Sequence, residues 1–241
     1  MAVHILKDAK IWMAEFDMQG VLNSLALNYG ADAVENTTFA NDSHVYTGGL
    51  KVADYAFEGF MEPSAVDAGL FGDVGVDGSV VSVAPQAAAE GDRAFFFKTV
   101  NTKHNPLEGT VGEMAGISLE GSAQDQKLVR GTLMHDATRT STANGNGQQL
   151  GAVAAGEKLF GALHVVAASG GSPTLDIIVE SDDNGSFTSA TTRMTLSQAT
   201  GLTSEFPTPI AGAITDDYWR IVYTIGGSGP SFEFAVLLGI L

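Results

Sequence analysis

The segment TLDIIVE, residues 174–180, sets Leu175, Ile177 and Val179 on one side of an extended chain and Asp176, Ile178 and Glu180 on the other. A period of two is the mark of a strand, because successive side chains leave opposite faces of a pleated backbone. The same habit recurs at Phe160–Ala168, Thr191–Ser197, Asp217–Ile225 and Ser231–Leu241. Between these runs stand GGSP (170–173), DDNG (182–185) and GGSGP (226–230), residue types that turn a chain or accept positive φ. Residues 152–241 are therefore expected to form five strands in a β-sandwich module. The closing Phe232, Phe234, Val236, Leu238 and Ile240 predict a last strand docked in a sheet.

Upstream, strands are expected at Ala9–Ala14, Val21–Ala31, Val52–Met61, Gly78–Ala84, Ala94–Thr102, Glu113–Gly121 and Leu128–His135. Leu25, Leu27 and Tyr29 share one face, as do Ala53, Tyr55 and Phe57. The adjacent Phe95, Phe96 and Phe97 point to both sides of their strand, which predicts cover on both faces. Residues 32–51 read as a long polar connection ending in the pair Gly48–Gly49. Glu62–Phe71 reads as a short helix. Pro63 suits its first turn, Ser64 and Asp67 favour its N-terminal end, and Val66, Leu70 and Phe71 share a face. Residues 141–151, within the Gly- and Asn-rich DATRTSTANGNGQQLG (136–151), read as a linker. The expected fold is mainly β: a first sandwich or barrel with one short helix in residues 1–140, then the second module in 152–241.

Charge narrows the partners. The chain of 241 residues has 28 acidic and 12 basic side chains, a net −16. Between Lys10 and Arg93 the sole basic residue is Lys51, against thirteen acids. Such a chain gains nothing from counterion release on DNA and is repelled by an anionic membrane. Charged residues make up 17%, below the usual quarter or so, as expected either of a surface covered partly by copies of itself or of a β protein rich in Gly, Ala, Ser and Thr. Cysteine is absent, which excludes disulfides, thiolate zinc sites and thiol nucleophiles. The opening MAVHILKDAK has no long apolar core of a signal peptide, and the longest apolar run is too short to span a bilayer. Synthesis in the cytoplasm is expected.

Chemistry is sparse. His4, His44, His104, His135 and His164 are scattered, with no pair spaced to share a metal. His135–Asp136 is expected to end a strand rather than to serve a nucleophile, since no nucleophile elbow accompanies it. Gly145, Gly147 and Gly151 neither follow a strand nor open a helix, so they are no phosphate loop. Asp182-Asp183-Asn184-Gly185 lacks calcium-loop spacing and reads as a turn, as does Asp73–Gly78. Trp12 and Trp219 sit in apolar runs and read as core. No catalytic residue, metal or cofactor is assigned, and no enzyme activity is expected.

An ordered series of segments resembles the major tail-tube proteins of long-tailed, non-contractile bacteriophages. It runs LKDAKIWM (6–13), LALNYGADAVENTTFAND (25–42), GGLK (48–51), YAFEGFMEP (55–63), GTVGEMAGISLEGS (109–122) and KLVRGTLM (127–134). It spans residues 1–140; residues 152–241 resemble a β-sandwich appendage of phage virion proteins, chiefly in Ala162–Glu180 and DDYWRIVYTIGGSGPSFEFAV (216–236). The resemblance implies a virion protein, assembled in the host cytoplasm, that self-associates into stacked hexameric rings conducting DNA. It implies tape-measure, tail-terminator and distal-tail proteins as further partners, no membrane, and no specific hold on the DNA. The 32–51 connection would reach a neighbouring subunit or ring, with Phe39, Asn41, Asp42, His44, Tyr46 and Leu50 as its contact residues. His44 stands where that family more often has arginine. Asp54 and Glu58, outward on an early strand, would line the lumen. A capsid-decoration or neck protein, or a carbohydrate-binding module with exposed aromatics, are the other readings of the same sequence.

Overall fold

The computed structural model describes residues 6–61, 65–86, 89–125 and 127–241. The fold is mainly β with one short helix, as expected. In chain order the first strands are β1 (Lys10–Met13), β2 (Phe16–Asp17), β3 (Leu22–Glu35) and β4 (Tyr46–Phe60), followed by helix α1 (Ala65–Gly72). Next come β5 (Asp77–Ala84), β6 (Arg93–Glu108), β7 (Gly116–Ala123), β8 (Val129–Arg139), β9 (Ala143–Asn144) and β10 (Gln148–Gln149). The last are β11 (Lys158–Asp182), β12 (Thr191–Thr195), β13 (Thr203–Glu205), β14 (Ile210–Ala211) and β15 (Tyr218–Ile240). Glu62, Pro63 and Ser64, the expected start of the helix, lie outside the described residues, as does His4.

The chain forms two compact units that do not follow the expected division into 1–140, 141–151 and 152–241. The larger holds Met1–Gly20, Ser79–Lys98 and Val129–Leu241; the smaller holds Val21–Gly78 and Thr99–Leu128. The reason is long-range pairing. β8 does not stop at His135 but runs on to Arg139 and pairs with β15, Phe232 opposite Arg139 and Leu238 opposite Thr132. The expected linker supplies two further strands: β9 sets Asn144 against Val222, and β10 sets Gln148 against Trp219. Small polar residues with no apolar period can still pair through their backbones.

In the larger unit, β11 and β15 form one antiparallel ladder from Leu159↔Ile240 to Asp182↔Tyr218. Four separate strands were expected there, with turns at 170–173 and 226–230. Instead these two glycine-rich stretches face each other inside the ladder and shift its register at Ser169, Gly171 and Thr174. Gly170, Ser172, Gly227 and Gly229 all take positive φ, the conformation by which a paired ribbon kinks without losing its partner. Tyr223 and Phe234 would be about 36 Å apart on a straight strand, yet their rings meet at 5.4 Å. The ribbon thus folds over a shared core in which Leu175, Ile177, Val179, Trp219 and Ile221 meet Leu163, Val165, Phe232 and Val236. Its first half is covered on the other face too, by Phe160, Ala162, Ala235 and Leu237 with Trp12, Phe96 and Leu133. That explains why the chain near Val236–Leu238 is continuously apolar rather than alternating. Both tryptophans are core, as expected, with the Trp219 indole N–H donating to Gly151 O at 2.8 Å.

In the smaller unit, β3, β4, β7 and the end of β6 pair antiparallel in that order. One face is apolar: Ala53, Tyr55 and Phe57 of β4 and Ile117 and Leu119 of β7 are all buried. Tyr55 donates to Asn101 Oδ1 at 2.7 Å across this face. The expected alternation along Val52–Met61 is therefore present. In α1, Leu70 is buried, but Phe71 is 65% exposed instead of sharing that buried face. It flanks the His104 ring, edge-on at 6.0 Å.

Candidate assembly surfaces

The opposite face of the smaller unit's sheet is polar. Directly opposed residues share a face, so the pairings set Asn28, Asp54 and Ser122 in one row, Ala26, Ala56, Glu120 and Lys103 in the next, and Ser24, Glu58, Ser118 and Asn105 in a third. Most side chains here are small, polar or charged, and Val52, Phe60 and Val100 lie among them on the same face. Lys103 bonds Glu120 at 2.5 Å, and that bond holds its ammonium above the ordinary lysine range, with Glu108 and Glu58 adding attraction. Glu108 accepts from Asn105 at 2.7 Å and Ser118 at 2.9 Å, which holds its carboxyl below the usual range. Three carboxylates thus surround one ammonium.

Asp54 and Glu58, singled out in the sequence, do stand on one face of β4. Their company does not follow from the sequence. Glu108, Glu120 and Lys103 reach them only through the β4–β7 and β6–β7 pairings, which no local pattern announces. The alternating Ser118, Glu120 and Ser122 was the one visible signal.

The second surface is an arm. The expected connection 32–51 is the outer end of a β-hairpin, half of it paired strand: β3 continues to Glu35, β4 starts at Tyr46, and Glu35 faces Tyr46. Only residues 36–45 form the loop. The segment looked irregular because neither face is buried, so no apolar period marks its strands. Its tip is internally tied. Asn41 Oδ1 accepts from the Thr38 N–H at 2.8 Å, Asn36 N–H donates to Val45 O at 2.9 Å, and His44 Nδ1 meets Glu35 Oε1 at 2.5 Å. The His44 contact, then Thr37, holds the Glu35 carboxyl below its ordinary range. His44 also stacks on Tyr46 at 6.2 Å.

Phe39, Tyr46 and Leu50 are exposed, together with Tyr29, Val34 and Val52, which are not among the expected contact residues. Asn41, Asp42 and His44 are exposed at the tip. Of the sixteen large apolar side chains exposed among the described residues, thirteen belong to the smaller unit. Leu107, Val111 and Met114, around the β6–β7 connection, form a second such group.

Elsewhere the titratable clusters are tied up within the fold. His135 is buried in mid-strand, not at a strand end. It donates from Nδ1 to Glu90 at 2.7 Å and accepts from Arg139 at 3.3 Å, with Phe234 4.6 Å away. Burial pushes its imidazole below the ordinary range. Asp136 is taken by Lys10. Asp182 accepts the backbone N–H groups of Ser189 and Asp183, so the DDNG loop closes on its own carboxylate. Those bonds hold the carboxyl low. No group of three or more His, Asp or Glu fit to hold a metal occurs among the described residues.

No protein-family model matches the sequence, and no curated protein matches it. Solved structures with partial likeness include the virion of a native gene transfer agent particle, 15% identical, covering 52% of this chain and 98% of that one at a TM-score of 0.42. The sheath–tube complex of an extracellular contractile injection system is 8% identical, covering 54% and 90%, at 0.43. The SPP1 Dit protein, described as a hub adsorption apparatus of phages infecting Gram-positive bacteria, is 10% identical, covering 98% and 100%, at 0.38.

Proposed function

We propose that this chain is a structural subunit of a phage tail tube, self-associating into stacked, hexameric rings through which DNA passes. The observation that carries the reading is the hairpin arm. A two-stranded hairpin is marginal in water by itself, and this one extends with both faces exposed and six large apolar side chains uncovered. Such a surface needs a partner. In the assembled tube, Phe39, Asn41, Asp42, His44, Tyr46 and Leu50 contact a neighbouring subunit or ring. The polar face bearing Asp54, Glu58, Glu108 and Glu120 lines the lumen.

Like charges ~10 Å apart in water repel by only about 0.4 kcal/mol, and salt screens them over ~8–10 Å. A single carboxylate is therefore minor, while a wall of them offers DNA no site at which to stick. Other tail proteins (tape measure, terminator, distal tail) meet the ends of the tube, and the working location is the virion. The same reading makes the protein structural rather than enzymatic. The carbohydrate-binding alternative needs an exposed aromatic platform, and no aromatic among the described residues of 152–241 is exposed.

Sedimentation velocity of the wild type and of F39D/L50D tests the arm's role. The wild type is expected to form large species with rising concentration, and the variant to stay small. A wild type that remains a monomer throughout contradicts the proposal.

A further inference from the structure

The chain has five arginines, and three are used inside the fold. Arg139 donates to His135, Arg193 to Asp216 and Arg220 to Glu180. Arg93 and Arg130, both exposed, have no hydrogen bond or ion pair among the described residues, and both line one cavity of about 500 Å³ in the larger unit. The ladder explains their meeting. Arg93 faces Thr132 and Phe95 faces Arg130 across β6 and β8, so the two arginines are diagonal neighbours on one sheet face.

Asp92 is the one acid lining this cavity, and its carboxylate is engaged by the Ala89 N–H at 3.0 Å. Gln149 on the rim is held by Asp217 at 2.6 Å. Two unpaired guanidinium groups on one wall of a polar cavity, in a chain of net charge −16, form a receptor for a carboxylate, which guanidinium engages with two parallel N–H donors.

We infer that this cavity receives an acidic side chain from the arm of a second copy of the chain. The inference rests on the self-association proposed above. Charge complementarity selects the occupant. The smaller unit holds thirteen acidic and three basic residues. Its exposed arm carries Asp32 and Asp42, which make no hydrogen bond or ion pair among the described residues, whereas Glu35 is held by His44. The uncovered apolar side chains of the same arm supply the contact area, and the two arginines fix which way the arm docks.

The test uses the full chain carrying R93K/R130K, prepared as an equal mixture of ¹⁴N and ¹⁵N protein and treated with a water-soluble carbodiimide. The lysine amines keep the charge and form an isopeptide bond only with a carboxylate in contact, with loss of the activated carboxyl oxygen as the urea. Mixed-isotope isopeptides joining position 93 or 130 to Asp32 or Asp42 are expected. R93Q/R130Q is expected to need at least tenfold more protein to self-associate, at an unchanged unfolding midpoint. Cross-links confined to one chain, or reaching only acids outside the arm, overturn the inference. So does wild-type association by R93Q/R130Q, an outcome that leaves the tube reading standing. A wild type that never associates removes both. Binding of inorganic phosphate at constant ionic strength, with no mixed-isotope product, assigns the cavity to a free anion and rejects the second copy.

Discussion

Gly121 sits opposite Tyr55 in the β4–β7 ladder, where a Cβ would come within 2.4 Å of the tyrosine ring and 2.7 Å of Val100 O. Backbone on one side and a buried ring on the other leave nothing free to move. Gly121→Val is expected to destabilise the protein by about 2–3 kcal/mol through overpacking, read as a lower midpoint in urea unfolding; an unchanged midpoint would show that the strands can part there at little cost. His164 is the second residue with a measurable consequence. Fully buried against Trp12, it donates from Nδ1 to Ala14 O at 2.6 Å and accepts from Ser82 at 2.7 Å, and burial drives its pKa down to about 4. The unfolded chain titrates near ~6.5, so between these values the unfolded state binds more protons. Stability is then full above about pH 6.5 and falls as pH drops towards 4, by roughly 3 kcal/mol in all. Thermal unfolding from pH 7 to 4 checks the slope. A His164 ring titrating near its ordinary value by NMR would contradict it. Neither feature was legible beforehand: glycine and histidine take their meaning from partners far away in sequence.

Among the elements, strands with one buried face were legible and strands with none were not. β4 from Val52 and β11 from Leu175 announced themselves because alternate side chains enter a core. The outer part of β3 and the start of β4 bury neither face, so their residues read as a polar connection. In sequence the bent β11–β15 ribbon looks like separate strands with turns, because Gly170–Gly171 and Gly226–Gly229 carry turn chemistry. Their mutual pairing, which converts turns into kinks, is a long-range fact. F39D/L50D is expected to leave the urea midpoint within about 0.5 kcal/mol of wild type, because both side chains are solvated in the isolated chain, while weakening association by at least ~10-fold. On the sheet face, D54K/E58K is expected to assemble yet retain DNA at low salt, detected by filter binding that weakens with added salt. Failure of those assembled particles to retain DNA would move the lumen elsewhere.

For the molecule, the acidic surplus and the mainly β character were plain in the sequence, but the division into units was not. The segment 141–151 looks like a linker, yet β8 before it and β9 and β10 within it all pair with β15. A chain truncated after residue 140 loses β11 and β15, and with them the partners of Phe96, Val129 and Leu133. Such a truncation is expected to lack a cooperative unfolding transition; a soluble fragment that unfolds sharply would show that residues 1–140 fold alone. The measurement that bears most directly on the central claim is electron microscopy of the purified full chain at rising concentration. Stacked rings or tubes with a continuous lumen are the predicted result. Isolated monomers at every concentration, or closed particles with no through-channel, would contradict it.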